Sequence, residues 1–261
     1  HMHVAGSIHA DVTTPAPVWL TRPEDVNALS DKLWSKTVKR DDEGVIQVAG
    51  IPVTELAEQV GTPAYVIDED DFRERAREWR NAFEGWTVFY AGKSFLSGVI
   101  ARWVGEEGLN LDVCSLGELT VALRAGFDPA RIGMHGNNKS EAELRLALVR
   151  GVGRIIVDSS DEITRLESLC AELDTTANVM IRVTTGVEAH THEYIATAHE
   201  DQKFGFSITG GQALVGMFRC HHSPRLNLLG VHSHIGSQIF DTNGFEVAAR
   251  RTLKLFAQFK E

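Results

Sequence analysis

The sequence predicts an α/β fold, a (β/α)8 barrel of which about six of the eight βα units are present. From residue 87 onward, short β-rich segments alternate with amphipathic helical stretches, which indicates parallel strands in one sheet. The first four strands recur roughly every 22 residues, the spacing of a βα unit. Neither a glycine-rich phosphate fingerprint nor a P-loop follows the first strand, which weakens the alternative of a doubly wound nucleotide-binding sheet.

Six strands are predicted, at 87–91, 109–115, 131–136, 154–159, 178–183 and 226–236. The glycines in 203–218 favour a loop followed by a helix over a further strand. Because a closed barrel needs eight strands, we expect an incomplete barrel and a natural chain that continues past residue 261. The 261 residues alone are expected to be inactive and prone to association through open sheet edges.

The segment before residue 87 does not look like the first βα unit of the barrel. It predicts a short strand, a short helix, a strand at Ala64–Ile67 and a long helix from about Asp68, whose acidic first turn suits the helix dipole. The predicted organisation is a tail at 1–16 whose first two residues resemble a cloning scar, an N-terminal segment at 17–62, and the barrel domain at 63–261.

Composition restricts the partners. A formal net charge of −10 argues against nucleic acid and anionic membranes, which both reward clustered lysine and arginine. Three cysteines without paired spacing fit a reducing cytoplasm better than a disulfide framework. No stretch has the length and apolar character of a membrane span, and no secretory signal precedes the first element. We therefore expect a cytoplasmic protein.

Polar residues collect where the predicted strands end. In a barrel these ends meet on one face, where active sites lie. The candidates are Lys93, Asp112, His135, Asn137, Asn138, Asp158, Arg182, His232, His234 and Ser237. Such a mixture of cations, carboxylates, imidazoles and amides exceeds what a solvated surface requires.

Each candidate also has a structural interpretation. Lys93 is either a surface lysine with a buried stem or a catalytic amine. Asp158 is best explained as the cap of the helix that begins near Ser159. Asp112 could pair with Arg182 for structure alone. His232 and His234 point to the same side of their strand, so one of them is expected to be a packed histidine.

Two chemistries suit this set of residues. In the first, Lys93 attacks an aldehyde cofactor. In the second, the histidines of "HSH" and "EAHTHE" bind a divalent metal for hydrolysis. The first strand ends in a lysine rather than a metal ligand, so the metal hydrolase is the second alternative, and no metal site is predicted.

Five motifs, in order, resemble one family: "YAGKSF", "LDVCSLGEL", "HGNNKS", "GVEAHTHEYIATAHEDQKFGFS" and "GVHSHIGSQIFD". They are similar to the alanine-racemase-fold, pyridoxal-phosphate-dependent decarboxylases, in particular the actinobacterial diaminopimelate decarboxylases. The resemblance runs from about Gly44 to the end of the chain. It implies decarboxylation of meso-diaminopimelate to L-lysine, the last step of lysine biosynthesis, with pyridoxal 5'-phosphate as the cofactor.

The resemblance also implies roles for individual residues. Lys93 would carry the cofactor, His234 would stack on its ring, and Ser237 would contribute to the phosphate site. Asp112 and Arg182 would form a polar network beside the reacting amine. Supporting positions would be Glu118, His135 and Asn137.

Several features of that family lie beyond these residues: a glycine-rich phosphate loop, an "EPGR"-like turn, and a C-terminal β-domain, which the segment 17–62 would join. The family resemblance implies a homodimer with active sites shared between subunits and an amino acid as the substrate. A related basic-amino-acid decarboxylase and a non-catalytic pyridoxal-phosphate-binding protein remain alternatives.

Overall fold

The computed structural model describes residues 24–25, 27–30, 33–187, 203–236 and 242–261. The chain forms two compact units, one that extends to Phe72 and one from Arg73 to Glu261. In the described ranges, no helix is both long enough and apolar enough to cross a membrane.

Among its described residues, the first unit contains a three-stranded antiparallel sheet and one helix that lies wholly within it. The elements are β1 (Lys39–Arg40), β2 (Ile46–Val48), β3 (Ile51–Pro52) and α1 (Val53–Val60). Ala49 and Gly50 adopt positive φ values of 51° and 80°, which close the tight connection between β2 and β3. The predicted short strand and short helix are thus confirmed, and the sheet contains two further short strands.

Helix α2 (Glu69–Ala82) begins where the acidic run predicted it. The side chain of Asp68 accepts a hydrogen bond from the Asp71 N–H at 3.2 Å and caps the helix. The strand predicted at Ala64–Ile67 is wrong, because these four residues are exposed and form no strand. A β-rich composition becomes a strand only when a neighbouring strand supplies hydrogen-bond partners, and none of the described strands pairs here.

All six strands predicted for the second unit are confirmed. They are β4 (Phe89–Ala91), β5 (Asn110–Val113), β6 (Ile132–Met134), β7 (Arg154–Val157), β8 (Ala177–Thr184) and β10 (Leu226–His232). Every neighbouring pair is parallel, in the order β10-β8-β7-β6-β5-β4. Sequence order and spatial order agree along this sheet, as in successive βα units of a barrel.

Segment 203–218 is mainly a loop and a helix, as predicted. It also contains the two-residue strand β9 (Phe206–Ser207), which pairs with the end of β8. No sequence pattern predicts this strand, because two paired residues are too few to show a period.

Helices follow the strands. They are α3 (Gly98–Glu106), α4 (Leu116–Arg124), α5 (Glu141–Arg150), α6 (Ser160–Glu172), α7 (Gln212–His222) and α8 (Asn243–Lys260). Four of them begin at a serine whose side chain accepts the N–H three residues on: Ser97, Ser115, Ser140 and Ser159. Each cap fixes the residue at which its helix begins and thereby the end of the turn that follows the preceding strand. The strand ends are therefore held in fixed positions.

The core lies between the sheet and these helices. Strands β5 to β8 contribute fully buried aliphatic side chains such as Leu111, Ile132, Val157 and Ile181. Cys170 and Cys220 are buried free thiols, and Cys114 is an exposed free thiol. Burial raises the pKa of the Cys220 thiol to about 12, so it acts as a small apolar side chain.

Candidate active site

A cavity of about 890 Å³ opens at the carboxyl ends of the parallel strands. Its size falls within the range of roughly 300–1,000 Å³ typical of small-molecule sites. The described residues that line it are Ala91, Gly92, Lys93, Asp112, Cys114, His135, Gly136, Asn137, Arg182–Val187, Phe204, His232 and His234–Gly236. Seven of the candidates from the sequence are therefore brought together in its wall, namely Lys93, Asp112, His135, Asn137, Arg182, His232 and His234.

Lys93 lies in a short 3-10 turn, Gly92–Ser94, directly after β4. Ser94 Oγ donates to the carbonyl oxygen of Ala91 at 2.8 Å, which fixes this turn. A Cβ atom at Gly92 would lie only 2.7 Å from the backbone oxygen of Asp112, so glycine permits the turn to pack against β5. The Lys93 side chain is exposed to the cavity, and its amine has no hydrogen-bond or ion-pair partner within the described part of the chain.

Asp112, at the end of β5, pairs with His135, at the end of β6. The distance from His135 Nε2 to Asp112 Oδ1 is 3.0 Å. Gly133 makes this contact possible, because a Cβ atom there would lie 2.6 Å from the same carboxylate oxygen. His135 therefore orients the Asp112 carboxylate at the cavity wall.

The two histidines of "HSH" differ in their surroundings. Burial, followed by the nearby charges of His135 and Arg182, lowers the pKa of His232 to about 3, so this imidazole is neutral. Its ring meets that of His135 edge to face, with centroids 4.9 Å apart. His234 is exposed to the cavity, and partial burial, followed by the charges of Lys93 and Arg182, lowers its pKa. The structure thus confirms that one histidine is packed, and it identifies His232.

Arg182 and Asp158 form a second pair at the ends of β8 and β7. Arg182 Nε lies 3.8 Å from Asp158 Oδ1, and its guanidinium carbon lies 4.3 Å from the ring centre of Phe204. The pairing of Asp112 with Arg182 considered from the sequence is wrong, since each has a different ion-pair partner. Asp158 is also not the cap of α6, because the adjacent Ser159 accepts the Glu162 N–H instead.

A buried ion pair lies beside this group. Lys139 Nζ donates to Glu162 Oε1 at 2.8 Å and to the carbonyl oxygens of Gly136 at 2.8 Å and Ile156 at 2.5 Å. Burial lowers the pKa of Lys139 and raises the pKa of Glu162, and their mutual attraction opposes both changes. Three acceptors around one nitrogen require three N–H groups, so the ammonium form is the one that fits.

The remaining predicted residues support the rim. Glu118 Oε2 accepts the Cys114 N–H at 2.6 Å and fixes the turn after β5. Asn137 Nδ2 donates to the carbonyl oxygen of Lys203 at 3.1 Å. Ser237 and the histidines of "EAHTHE" lie outside the described residues. Among the described residues, no three His, Cys, Asp or Glu side chains are grouped so as to hold a metal ion.

Sequence reasoning missed Lys139, Glu162 and Phe204. "HGNNKS" contains Lys139, but nothing in the sequence marks a lysine in a polar turn as buried. Glu162 reads as an ordinary acidic residue in the first turn of a helix, and Phe204 as an apolar residue in a loop. Asp158 did carry a signal, its place at a strand end, and was assigned the wrong partner.

Comparison with known proteins agrees with this geometry. Residues 69–261 match the family model for the pyridoxal-binding domain of pyridoxal-dependent decarboxylases. The chain is 52% identical over 258 residues to diaminopimelate decarboxylase of Mycobacterium leprae. The matched region covers 98% of this chain and 55% of the relative. The chain is 54% identical over 228 residues to the Mycobacterium tuberculosis enzyme of the same name, covering 87% and 51% respectively. The chain thus spans about half the length of the curated relatives it matches.

Solved structures show the same similarity. Diaminopimelate decarboxylase from M. jannaschii in complex with L-lysine superposes with a TM-score of 0.80 at 30% identity, over 87% of this chain and 54% of that one. The Helicobacter pylori enzyme complexed with L-lysine gives 0.71 at 30% identity, over 79% and 52%. The predicted fold class, an alanine-racemase-type barrel represented by six βα units, is confirmed. The chain belongs to the pyridoxal-dependent decarboxylase family, and residues 69–261 are its pyridoxal-binding domain.

Proposed function

We propose that the protein decarboxylates meso-diaminopimelate to L-lysine, the last step of lysine biosynthesis, with pyridoxal phosphate carried by Lys93. The observation that carries the proposal is the amine of Lys93, which has no partner among the described residues and which the turn after β4 presents to a cavity of substrate size. The similarity to proteins named diaminopimelate decarboxylase, two of them solved with L-lysine, supports the choice of substrate.

The described wall suits an anionic cofactor and an anionic substrate. Lys93 and Arg182 supply two cations, and Asp112 supplies one carboxylate, so positive charge prevails among the described lining residues. The lowered pKa values of His232 and His234 keep both rings neutral at physiological pH. A neutral His234 ring, open to the cavity, can lie against a flat aromatic group.

When bound, pyridoxal phosphate supplies the electron sink that accepts the electron pair left by the departing carboxylate. Lys93 Nζ would hold the cofactor and would carry a proton beside the reacting carbon. The neutral ring of His234 would lie against the cofactor ring and orient it. Asp112, held by His135, and Arg182, held by Asp158, provide oriented charges on the wall, while Glu118 keeps the turn after β5 in place.

Ser237 would add a hydroxyl at the phosphate, as the resemblance implies. We further propose a homodimer with shared active sites, on the same basis. A cytoplasmic location is proposed from the three free cysteines and the biosynthetic relatives.

Lys93→Ala in the complete natural chain tests the function. The wild-type protein with pyridoxal phosphate should show an absorption band at the visible edge and release CO₂ from meso-diaminopimelate. Lys93→Ala should lose both and keep its circular dichroism spectrum, because removing this cavity-facing side chain opens no core void. Lys254→Ala, on the exposed face of α8, is the matched control. Retained turnover in Lys93→Ala would contradict the assignment, and preferred turnover of ornithine or lysine would change the substrate.

A pair of histidine variants tests the stacking role. Ring stacking is worth about 1 kcal/mol, so His234→Ala should weaken cofactor affinity several-fold and slow turnover without stopping it. Cofactor affinity is measured by titrating the protein with pyridoxal phosphate and following absorbance. Unchanged affinity in His234→Ala together with a large loss in His232→Ala would assign stacking to the other histidine.

A further inference from the structure

The carboxylate of Asp158 joins two parts of the cavity wall. Its side chain is only 4% exposed. Asp158 Oδ1 lies 3.8 Å from Arg182 Nε, and Oδ2 accepts a hydrogen bond from the Gly205 N–H at 2.9 Å. One buried side chain at the end of β7 therefore contacts both β8 and the segment that precedes β9.

Arg182 is also contacted from the other side. The ring of Phe204 lies 4.3 Å from its guanidinium carbon, within the distance of a cation–π contact. Gly205 has a φ of +74°, and a Cβ atom there would lie 2.8 Å from the backbone oxygen of Arg182. Glycine at this position thus permits both the turn and its close approach to β8. We refer to Asp158, Arg182, Phe204 and Gly205 as the Asp158 clamp.

The Asp158 clamp is anchored from behind. The backbone N–H of Asp158 donates to Glu162 Oε2 at 3.0 Å, and Glu162 Oε1 accepts from the buried Lys139. The buried Lys139–Glu162 ion pair therefore holds the strand end that carries Asp158, independently of the contact between the Asp158 side chain and Arg182. A residue fixed in this way can determine the orientation of its neighbour.

We propose that Asp158 is a positioning residue, which holds the guanidinium of Arg182 at the cavity wall and thereby sets the affinity for pyridoxal phosphate. The inference rests on the proposed function, because it requires the cofactor to occupy this cavity. An arginine side chain has many rotamers, and a cation already held in place loses less freedom when an anion binds. The charge of Arg182 also reaches His234 across the cavity, whose pKa it helps to lower.

Asp158→Asn separates the two contacts of the carboxylate. The amide oxygen of asparagine can still accept the Gly205 N–H, whereas the negative charge beside Arg182 is lost. Pyridoxal phosphate affinity is measured by titration of the cofactor-free complete chain. Hydrogen–deuterium exchange of the peptide that spans 203–207 and thermal unfolding are measured without cofactor. The matched control is Asp174→Asn, since Asp174 is an exposed aspartate 3.1 Å from the guanidinium of Arg225.

We expect Asp158→Asn to weaken cofactor affinity by about tenfold, the scale of one lost ion-pair contact at a partly desolvated site. Exchange at 203–207 and the unfolding midpoint should stay close to wild type, and Asp174→Asn should change nothing. Affinity within twofold of wild type would overturn the proposal. Equal loss in Asp174→Asn, or loss of protection at 203–207 together with affinity, would also overturn it, since the effect would then be general or merely structural.

A second variant keeps the test decisive if Asp158→Asn does not fold. Gly205→Ala disturbs the Asp158 clamp from the opposite side, through the contact with the Arg182 backbone. It should weaken cofactor affinity several-fold, and affinity within twofold of wild type would overturn the proposal. If the wild-type chain itself does not bind pyridoxal phosphate, the proposed function is refuted. If the wild type binds the cofactor and the variants bind it equally well, only the role of Asp158 is refuted.

Discussion

Replacing Lys139 by methionine should destabilise the protein far more than replacing an exposed lysine would. Lys139 and Glu162 are 2.8 Å apart, with side chains 1% and 4% exposed. Lys139→Met leaves the Glu162 carboxylate buried without its counter-ion, and the loss of one partner of a buried pair costs about 3–5 kcal/mol. It also removes a donor from the carbonyl oxygens of Gly136 and Ile156.

The double variant Lys139→Met/Glu162→Leu isolates the charge. It removes both ions and leaves the Asp158 N–H without the Glu162 acceptor, a penalty of about 1–3 kcal/mol. The double variant should therefore be more stable than Lys139→Met alone, with a coupling energy of at least about 2 kcal/mol. The control cycle uses Arg145 and Glu172, an exposed pair with a 2.8 Å contact, for which we expect about 0–1 kcal/mol.

Urea unfolding, followed by both tryptophan fluorescence and far-UV circular dichroism, measures the four free energies of each cycle. The two probes should give coincident transitions for the unit that carries the pair. A coupling below about 1 kcal/mol for Lys139 and Glu162, no larger than that of the surface pair, would refute the reasoning that burial makes this pair interdependent.

Two further predictions concern pH and packing. The pKa of His232 is about 3 in the folded state and 6.5 when unperturbed, so the unfolded chain binds the extra proton and stability falls as pH drops from about 6.5 toward 3. Wild type should lose about 1.6 kcal/mol relative to His232→Gln between pH 6.5 and 5, because the slope reaches about 1.4 kcal/mol per pH unit only well below pH 6.5. The exposed His221→Gln is the control, and parallel pH profiles would contradict this. Gly153→Ala should destabilise by about 1–3 kcal/mol or more, because its Cβ atom would lie 1.9 Å from the backbone oxygen of Ala130. Gly98→Ala, whose Cβ would meet only Arg102 Nη1 at 4.0 Å, is the control in the same urea titration, and equal stabilities would show that the backbone yields without cost.

The sequence by itself determined the architecture and the main candidates. Alternating β-rich and amphipathic segments predicted all six parallel strands, because the apolar period of a segment is a local property. The same pattern placed Lys93, Asp112, Arg182 and His234 at strand ends, and parallel strand ends meet on one face. Local pattern failed at Ala64–Ile67, where strand-forming residues have no strand beside them among the described residues.

Only the tertiary structure decided which partner each of these residues takes. Register places Asp112 beside Gly133 and His232 beside Arg182, and these pairings bring together residues more than 20 positions apart in the chain. A carboxylate at a strand end can cap a helix, pair with an arginine or pair with a histidine, and the letters alone do not distinguish these outcomes. Asp158 pairs with Arg182 because Ser159 caps helix α6 in its place. Gly205 also lets the turn before β9 come close enough for its N–H to reach the Asp158 carboxylate. Lys139 can be a buried cation because three acceptors surround its ammonium group and compensate for the loss of water. These acceptors come together only in the folded chain.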